Sequence, residues 1–481
     1  MTLRRVLVVL MALALVAAGC SRDEDDPGAT GDDDGGPGAG QEEATTEYDD
    51  PGFGNIEEVC GEGGGGGGGE EETAQRAQDD ATEAQGVTDE AINIGTVADP
   101  GFEGRQGLNQ EIFDASEAFV EWCNSHGGIN GREINLTLYD AAIQEYQPQM
   151  EQACGNEFVM VGSGAVQDNL WVDTGLACDL VEISTFAVTP EHAGVTGTPE
   201  ETAETRTVQP LPNPSDAFNV AGARLVAEES PEAVANAGIL YGDFETLVVQ
   251  KDRTVEAFEQ VGWEFVNEQT YNILGEANWG PFVTALQDAG VEALHFVGEG
   301  QNLALLQQAM QEQGYEPEVQ LMETNMYDPT YLEAAASAAE GTVIRSSFWP
   351  IFGDEAQENP ATAKYLTLME DHGGKVALLG AQATSAWLLF AQAARACDDA
   401  GDLTRSCILD ETTSVTEWDG GGLHAPGNPG ENQAPECQIL FVVENGEFVR
   451  RNPETPDGGE NGYLCESDAI VELEGDFSAG G

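Results

Sequence analysis

The segment HGGINGREINLTLYD, residues 126–140, joins a helix to a strand. Its glycines end the helix and form a turn, and the alternating residues that follow begin a strand. Apolar residues in the preceding segment recur at the three- and four-residue spacing of one helix face. Before that helix, AINIGTVADP (91–100) is typical of a buried strand. These segments therefore predict one strand–helix–strand unit. The residues on the helix face are Ile112, Ala115, Phe119 and Cys123.

The alternation of strands and helices continues along the chain in two series. The first ends near TVQPLPNPSDA (207–217), where three prolines break the pattern. The second begins with the strand AGILYGDF (237–244) and runs to GTVIRSSF (341–348). A long helix at 377–398 and the hairpin CQILFVVENGEFVRR (437–451) follow. Strands alternating with helices predict an α/β fold with parallel sheets covered on both faces, and two such series predict two lobes.

The N-terminal residues predict export. Two arginines, Arg4 and Arg5, precede the apolar run Val6–Ala18, which is shorter than the about 20 residues that a membrane span needs. This pattern is typical of a secretory signal peptide, residues 1–19. Its end, Ala17-Ala18-Gly19-Cys20, resembles the bacterial lipobox, in which the cysteine receives a diacylglyceryl group. We therefore expect Cys20 to anchor the protein at the outer face of the cell membrane; the alternative is an ordinary signal peptide cut near Ala18.

An acidic, glycine-rich segment follows the signal peptide. Residues 20–87 carry few apolar side chains, so they cannot bury enough surface to offset the entropy of ordering, and we expect a disordered tether. The whole chain has 88 acidic and 17 basic residues, a formal charge of −71. Such a charge argues against nucleic acid or anionic lipid as a direct partner of the folded part.

The cysteines are consistent with export as well. Eight remain besides Cys20, and an even number in an exported chain predicts disulfide bonds. No C-x-x-C spacing occurs and the five histidines are scattered, so we expect no metal site. The positions around a helix end and around the C-terminal hairpin predict the pairs Cys397–Cys407 and Cys437–Cys465. The other four cysteines allow three pairings, of which we favour Cys60–Cys123 with Cys154–Cys178.

Several of these segments together resemble a known family. The first strand and helix, GGINGREI, LYDA, YGDF and the late helix AWLLFAQAARACDDAGDLTRSC are similar to leucine/isoleucine/valine-binding proteins, the type I periplasmic binding proteins. The resemblance implies two Rossmann-like lobes with parallel sheets, joined by a three-strand hinge, that close around a small solute. It also implies delivery to the permease subunits of an ABC importer, without a cofactor and without catalysis. The expected division is lobe 1 at 88–209 and 345–408, lobe 2 at 210–344 and 409–470, and a disordered tail at 471–481.

Candidate ligand-binding residues lie directly after the predicted strands, because ligands of open α/β sheets bind beyond the carboxyl ends of the strands. The expected solute is a branched-chain amino acid or a related amino acid or amide. A zwitterionic amino acid would need hydroxyls and peptide N–H groups for its carboxylate, an acid for its ammonium group and an apolar wall for its side chain. Ser163 has an alternative role as a helix cap, and Glu299 as a solvated acid. The candidates are Phe102, Ser163, Gly164, Thr185, Phe186, Ala187, Phe244, Glu299 and Asn325.

The sequence departs from the family pattern at the candidate site. Amino-acid-binding relatives have a turn rich in Ser and Thr after the third strand, and GSGAVQDN (162–169) offers Ser163 alone. Phe186 and Val188 replace the small residue and the threonine of the next turn. Other solutes, such as an amide or a hydrophobic acid, therefore stay open.

Two other functions compete with transport. A receptor of the same fold would report the ligand to a signalling partner through the same cleft. A secreted hydrolase is the third hypothesis, although neither G-x-S-x-G nor H-E-x-x-H occurs in the sequence.

Overall fold

The computed structural model describes residues 50–63 and 82–477 of the chain. The predicted signal peptide, the predicted lipidation of Cys20 and most of the predicted tether lie outside the described residues. Within the described part, no helix combines the length and the apolar character that a membrane span requires.

Strands and helices alternate over most of the described chain. The strands are β1 Ala91–Ala98, β2 Glu133–Asp140, β3 Val159–Ser163, β4 Glu182–Ser184, β5 Thr207–Val208, β6 Ala217–Asn219, β7 Ala237–Gly242, β8 Phe265–Tyr271, β9 Ala293–Val297, β10 Val319–Met322, β11 Val343–Ser346, β12 Cys437–Glu444, β13 Glu447–Asn452, β14 Leu464–Cys465 and β15 Ile470–Glu472. The helices are α1 Gln110–Ser125, α2 Tyr146–Asn156, α3 Pro190–Ala193, α4 Pro199–Thr202, α5 Ala221–Glu229, α6 Pro231–Val234, α7 Glu245–Glu259, α8 Gly280–Ala289, α9 Gly300–Gln313, α10 Pro329–Ala335, α11 Pro360–His372, α12 Leu378–Ala400 and α13 Arg405–Thr413.

The first lobe is built on a parallel sheet with the strand order β2-β1-β3-β4-β5. The predicted unit at its start forms as β1, α1 and β2, and the predicted apolar face of α1 is buried. Gly128 has a φ of 69°, and a Cβ there would collide with the carbonyl oxygen of Arg132. Only glycine therefore fits this turn between α1 and β2.

The second lobe repeats the arrangement. Its parallel strands have the order β8-β7-β9-β10-β11, which matches the first sheet when the strands are counted within each lobe. The hairpin of β12 and β13 extends this sheet in antiparallel fashion beyond β11. The hairpin turns at Asn445 and Gly446, both with positive φ, as the Asn-Gly pair predicts. The predicted α/β class with two lobes of parallel strands is confirmed.

The chain passes between the lobes three times. It leaves lobe 1 after β5, returns to it after β11, and leaves again after α13, which packs against β5. The long helix α12 packs against α1 and β3 of lobe 1. The chain still contacts lobe 1 well after α13, since Asn432 donates to the carbonyl oxygen of Ala193 at 2.7 Å. The third crossing therefore lies just before β12, later than the boundary at 408/409 in the sequence analysis.

Four disulfide bonds cross-link the described chain, and their pairing matches the predicted one. Each joins secondary-structure elements or loops within one lobe, and all eight cysteines are buried or partly buried. The bonds are Cys60–Cys123, Cys154–Cys178, Cys397–Cys407 and Cys437–Cys465.

Residues 50–63 differ from the expectation of a disordered tether. Phe53 is 1% exposed and packs edge-on against Trp122 of α1, with 6.3 Å between the ring centroids. The peptide N–H of Gly61 donates to the carbonyl oxygen of Gly128 at 2.8 Å, beside the buried Cys60. Few apolar residues suffice here because a disulfide supplements their burial. The folded part therefore includes this segment.

The predicted tail also begins later than expected. Strand β15 pairs with β6 at the first crossing, and Leu473 behind it is 8% exposed. The peptide N–H of Leu473 donates to the carbonyl oxygen of Asp216 at 2.8 Å. Residues 471–477 thus belong to the folded part, because a short apolar strand completes the edge of β6.

The packed N-terminal segment predicts a measurable contribution to stability. A chain that starts at Asp50 should be more stable than a C123S chain that starts at Thr82, by about 4 kcal/mol in chemical denaturation, because closing the 63-residue separation of Cys60 and Cys123 restricts the unfolded state.

A C60S/C123S chain that starts at Asp50 is the matched control. It retains the packing of Phe53, so its free energy of unfolding should fall between the other two. Equal denaturation midpoints for all three chains would contradict the packed position of residues 50–63.

Candidate functional site

A cleft of about 390 Å³ lies between the two lobes. Its walls come from the segments that follow β1 and β3 in lobe 1 and β7 and β9 in lobe 2. In both sheets these are the points where the strand order reverses, so neighbouring loops diverge and leave a crevice. The volume is within the range of small-molecule sites.

Most of the cleft wall is apolar. Both lobes contribute, and so does the first crossing, with its prolines and aromatic residue. Such a wall favours a solute with a sizeable apolar surface. Its apolar residues are Phe102, Leu108, Val166, Phe186, Val188, Leu211, Pro212, Ala217, Phe218, Leu247, Ile273, Leu274, Phe296, Val297, Leu305, Leu379, Ala434 and Pro435.

The apolar surface continues from the interior of the cleft to the outside. Phe102 and Leu108 of lobe 1 pack with Ile273 of lobe 2 in one cluster. At the rim, the Leu274 side chain is 56% exposed and Leu305 is 44% exposed. Two exposed leucines at the rim give a solute an apolar path into the cleft.

The charged lining residues form two ion pairs, Arg105 with Glu299 and Arg345 with Glu323. The first pair joins the lobes, because Arg105 follows β1 and Glu299 follows β9. Glu299 is also the N-cap of α9: its carboxylate accepts from the peptide N–H groups of Gln301 at 2.8 Å and Asn302 at 3.0 Å. This helix terminus fixes the carboxylate that Arg105 contacts.

The second pair lies within lobe 2 at the end of β11. Arg345 donates from Nε and Nη2 to Glu323 Oε1 at 3.0 and 2.9 Å, and from Nη1 to the carbonyl oxygen of Asn219 at 2.9 Å. Its guanidinium lies 4.6 Å from the ring centroid of Phe218. All three nitrogens of Arg345 are therefore hydrogen-bonded.

Further polar contacts hold the lobes together beside the cleft. Lys375 Nζ lies 2.8 Å from Glu111 of lobe 1 and 2.8 Å from Asp328 of lobe 2. Thr246 Oγ1 of lobe 2 lies 3.0 Å from Asp168 Oδ1 of lobe 1.

Asp168 is part of a buried cluster in lobe 1. His192 lies against it and against Glu182, which it contacts through Nε2. Burial lowers the pKa of His192, but the carboxylates of Glu182 and Asp168 outweigh that effect and raise it to about 9. The positive charge of the His192 imidazole thus offsets the negative charge of Asp168, the carboxylate that contacts lobe 2.

Many polar lining groups already have partners within the protein. Asn325 donates to the carbonyl oxygen of Gly298 at 2.7 Å, and Thr246 donates to that of Val166 at 2.6 Å. Asn213 donates to the carbonyl oxygen of Ala187 at 2.9 Å. These groups shape the cleft and have reduced capacity to bind a polar solute.

The structure brings four of the nine predicted site residues to the cleft surface. They are Phe102, Phe186, Glu299 and Asn325. Phe244 does not line the cleft, but it packs against the cluster of Phe102 and Ile273. Ser163, Gly164, Thr185 and Ala187 lie behind the surface.

The hydroxyls predicted for a carboxylate are used inside lobe 1. Ser163 Oγ accepts from the peptide N–H of Val97 at 3.2 Å, and Thr185 Oγ1 donates to the carbonyl oxygen of Gly162 at 2.8 Å. Both side chains are buried, at 2% and 0% exposure. Residues directly at the strand ends therefore complete the sheet, while the cleft surface comes from residues farther along the loops.

Sequence reasoning missed several lining residues. Arg345 interrupts the apolar strand GTVIRSSF, and an arginine inside a buried strand is itself a signal of a special role. Leu211 lies in the proline-rich segment 207–217 and Phe218 directly after it, and the sequence analysis used this segment only as the break between the two series. Leu274 and Leu305 had no local signal, because exposed leucines are common.

One group of potential metal ligands lies outside the cleft. Asp114, Glu117 and His372 have ligand atoms within 4.8 Å of one another, and all three are half-buried. His372 Nδ1 also lies 3.2 Å from Glu121. Ion pairing with a histidine accounts for this cluster.

Comparisons with solved structures find the same fold. The chain is similar to a fatty acid ABC transporter substrate-binding protein from Thermomonospora curvata, with 20% identity and a TM-score of 0.63 over 76% of this chain and 93% of that one. It is similar to a leucine binding protein from Thermotoga maritima, with 15% identity and a TM-score of 0.57 over 75% and 98% of the two chains. A possible leucine/isoleucine/valine-binding protein from Rhodopirellula baltica has 11% identity and a TM-score of 0.62 over 77% and 98%.

The sequence itself matches a family model. No curated protein matches the chain significantly in sequence. Residues 91–447 match the model described as periplasmic binding protein, and this match covers most of both lobes. The chain therefore belongs to the periplasmic binding protein family.

Proposed function

We propose that this protein binds a small, mainly apolar solute in the cleft between its lobes and delivers it to an ABC-type importer from the outer face of the cell membrane. The observation that carries the proposal is the apolar wall formed jointly by both lobes, with Phe102 opposite Ile273. Solute contacts on both sides of the cleft favour the closed arrangement of the lobes. The names of the similar solved structures support the importer as the partner.

A branched-chain amino acid is the second candidate solute. The family resemblance supports it, but the burial of Ser163 and Thr185 leaves their hydroxyls unable to reach a solute. An amide remains in the same group of candidates.

The hydrolase hypothesis has less support. A serine–histidine pair does occur, with Ser385 Oγ 2.8 Å from His424 Nε2. Both residues are buried and neither lines the cleft. Burial lowers the pKa of His424 to about 4, which makes the imidazole a poor base at neutral pH.

Solute binding should stabilise and compact the protein. In a thermal-shift screen of amino acids, amides and short to medium organic acids, we expect the hits to be apolar. A ligand at a hundred times its Kd adds about 2.7 kcal/mol to the stability of the folded state. Small-angle scattering should show a smaller radius of gyration with the hit than without it.

Two results would contradict this proposal. A screen in which no compound of any class raises the melting temperature would remove the cleft as a solute site. A compound that binds tightly but leaves the radius of gyration unchanged would show that the lobes do not close on binding.

Uptake measurements separate transport from signalling. Cells that lack this protein should lose uptake of the radiolabelled hit, and expression of the protein should restore it. Normal uptake together with a lost cellular response to the hit would support the receptor hypothesis instead.

Lipidation of Cys20 should hold the protein at the membrane. Replacement by serine should move the protein from the membrane fraction to the soluble fraction, and intact-mass measurement should show loss of the acyl chains. A Cys20→Ser protein that stays in the membrane fraction with unchanged mass would contradict the anchor.

A further inference from the structure

We propose that the solute is an aliphatic monocarboxylate whose carboxylate binds Arg105 and whose chain lies along the apolar wall of the cleft. This inference rests on the proposed function and names the substrate class of the same site. It depends on three observations: the unequal use of the two cleft arginines, the absence of a free acid for an ammonium group among the described lining residues, and the extent of the apolar surface.

The two arginines differ in the number of donors that the protein uses. Arg345 hydrogen-bonds through all three side-chain nitrogens, to Glu323 and to the carbonyl oxygen of Asn219. Arg105 contacts Glu299 through Nη1, while its Nε is buried without a partner in the part of the chain that the structure describes. A guanidinium carries five N–H donors, so Arg105 keeps several for a solute.

The position of the unused donors suits a carboxylate. Nε and Nη2 form one edge of the guanidinium, and this edge binds the two oxygens of a carboxylate through parallel hydrogen bonds. The structure gives neither atom a partner within residues 50–63 and 82–477. Arg105 lines the cleft, but its Nε is closed off from water in the present arrangement. The proposal therefore includes a rotation of the guanidinium that turns this edge toward the solute.

The acids of the cleft have no comparable capacity for an ammonium group. Glu299 accepts from two peptide N–H groups and from Arg105. Glu323 binds Arg345 with both oxygens, at 2.7 Å for Oε2 and 2.9 Å for Oε1. A buried ammonium without a paired carboxylate is costly. These contacts therefore favour a carboxylate without an amino group over a zwitterionic amino acid.

The apolar wall is longer than the side chain of an amino acid requires. It includes Phe218 at the first crossing, Phe186 of lobe 1 and Ile273 of lobe 2, together with the exposed Leu274 and Leu305. Each methylene that leaves water contributes about 0.8 kcal/mol. An extended aliphatic chain can cover this surface, whereas a branched four-carbon side chain covers only part of it.

The first experiment compares three probes on the full chain by isothermal titration calorimetry: decanoate, decanamide and leucine. Decanoate and decanamide share the chain and differ in the charge of the head group. We expect decanoate to bind at least about tenfold more tightly than decanamide, as one charge-assisted hydrogen bond supplies. Leucine should bind more weakly than either.

The second experiment tests Arg105 itself. The Arg105→Met protein keeps the length of the side chain and loses its donors, so decanoate affinity should fall about 10- to 100-fold. Decanamide affinity should change by less than about threefold, since a neutral head group gains little from the guanidinium charge. A melting curve of the variant verifies that it is folded.

Arg224→Met is the matched control. Arg224 pairs with Glu466 and Asp468 and does not line the cleft. Its substitution also removes one positive charge, but at a position outside the cleft, so decanoate affinity should stay unchanged. An equal loss in both variants would show a general effect of charge and would overturn the role of Arg105.

The outcomes separate this inference from the proposed function. Equal binding of decanoate and decanamide, or normal decanoate affinity in Arg105→Met, would overturn the carboxylate assignment and leave the binding of an apolar solute intact. Tight binding and compaction with leucine, in the absence of decanoate binding, would overturn the inference in favour of the amino acid. Failure of every probe class to bind would instead contradict the proposed function.

Discussion

The position of the cleft follows from one constraint on the chain, the parallel pairing of the strands in each lobe. Because these strands run in the same direction, all the loops that follow them lie at one edge of the sheet. Three crossings between the lobes bring these two edges to face each other. The segments after β1 and β3, with Arg105 and Val166, thus oppose those after β7 and β9, with Leu247 and Glu299. The ion pairs, the apolar wall and the cross-lobe hydrogen bonds all depend on this arrangement.

The sequence predicts the fold well because its signals are local and repeated. The turn at Gly128 and the Asn445-Gly446 hairpin each identify their element, and the two series of strands identify the lobes. The ends of the folded part were harder to predict. Phe53 and Leu473 lie in acidic or glycine-rich segments of the sequence. Each is buried beside a disulfide bond or a strand pair whose partner is distant in the sequence, so no local pattern predicts the burial.

The site was predictable only in part. The rule that ligands bind beyond strand ends predicts the region of the cleft, and Phe102, Phe186, Glu299 and Asn325 lie on its surface. It fails for Ser163, because a hydroxyl at a strand end bonds to the neighbouring strand. Arg345 in β11 and Phe218 at the first crossing are far apart in the sequence, and no local pattern predicts their contact.

The charge of the cleft contrasts with that of the whole protein. The chain carries a net formal charge of −71, whereas the cleft lining pairs two arginines with two glutamates. The net negative charge of the protein therefore repels an anionic solute, whereas the positive and negative charges of the cleft lining balance each other. Salt screens the outer field over about 8 Å at physiological ionic strength and should favour the approach of such a solute.

A crystal structure with decanoate that carries bromine on its last carbon tests the central claim most directly. The anomalous signal of bromine locates the end of the chain, and the electron density locates the head group. The account predicts a bromine peak inside the cleft between the lobes, against the apolar wall, and a carboxylate about 2.7–2.9 Å from the nitrogens of Arg105. A bromine peak on the outer surface of either lobe, with an empty cleft, would contradict it.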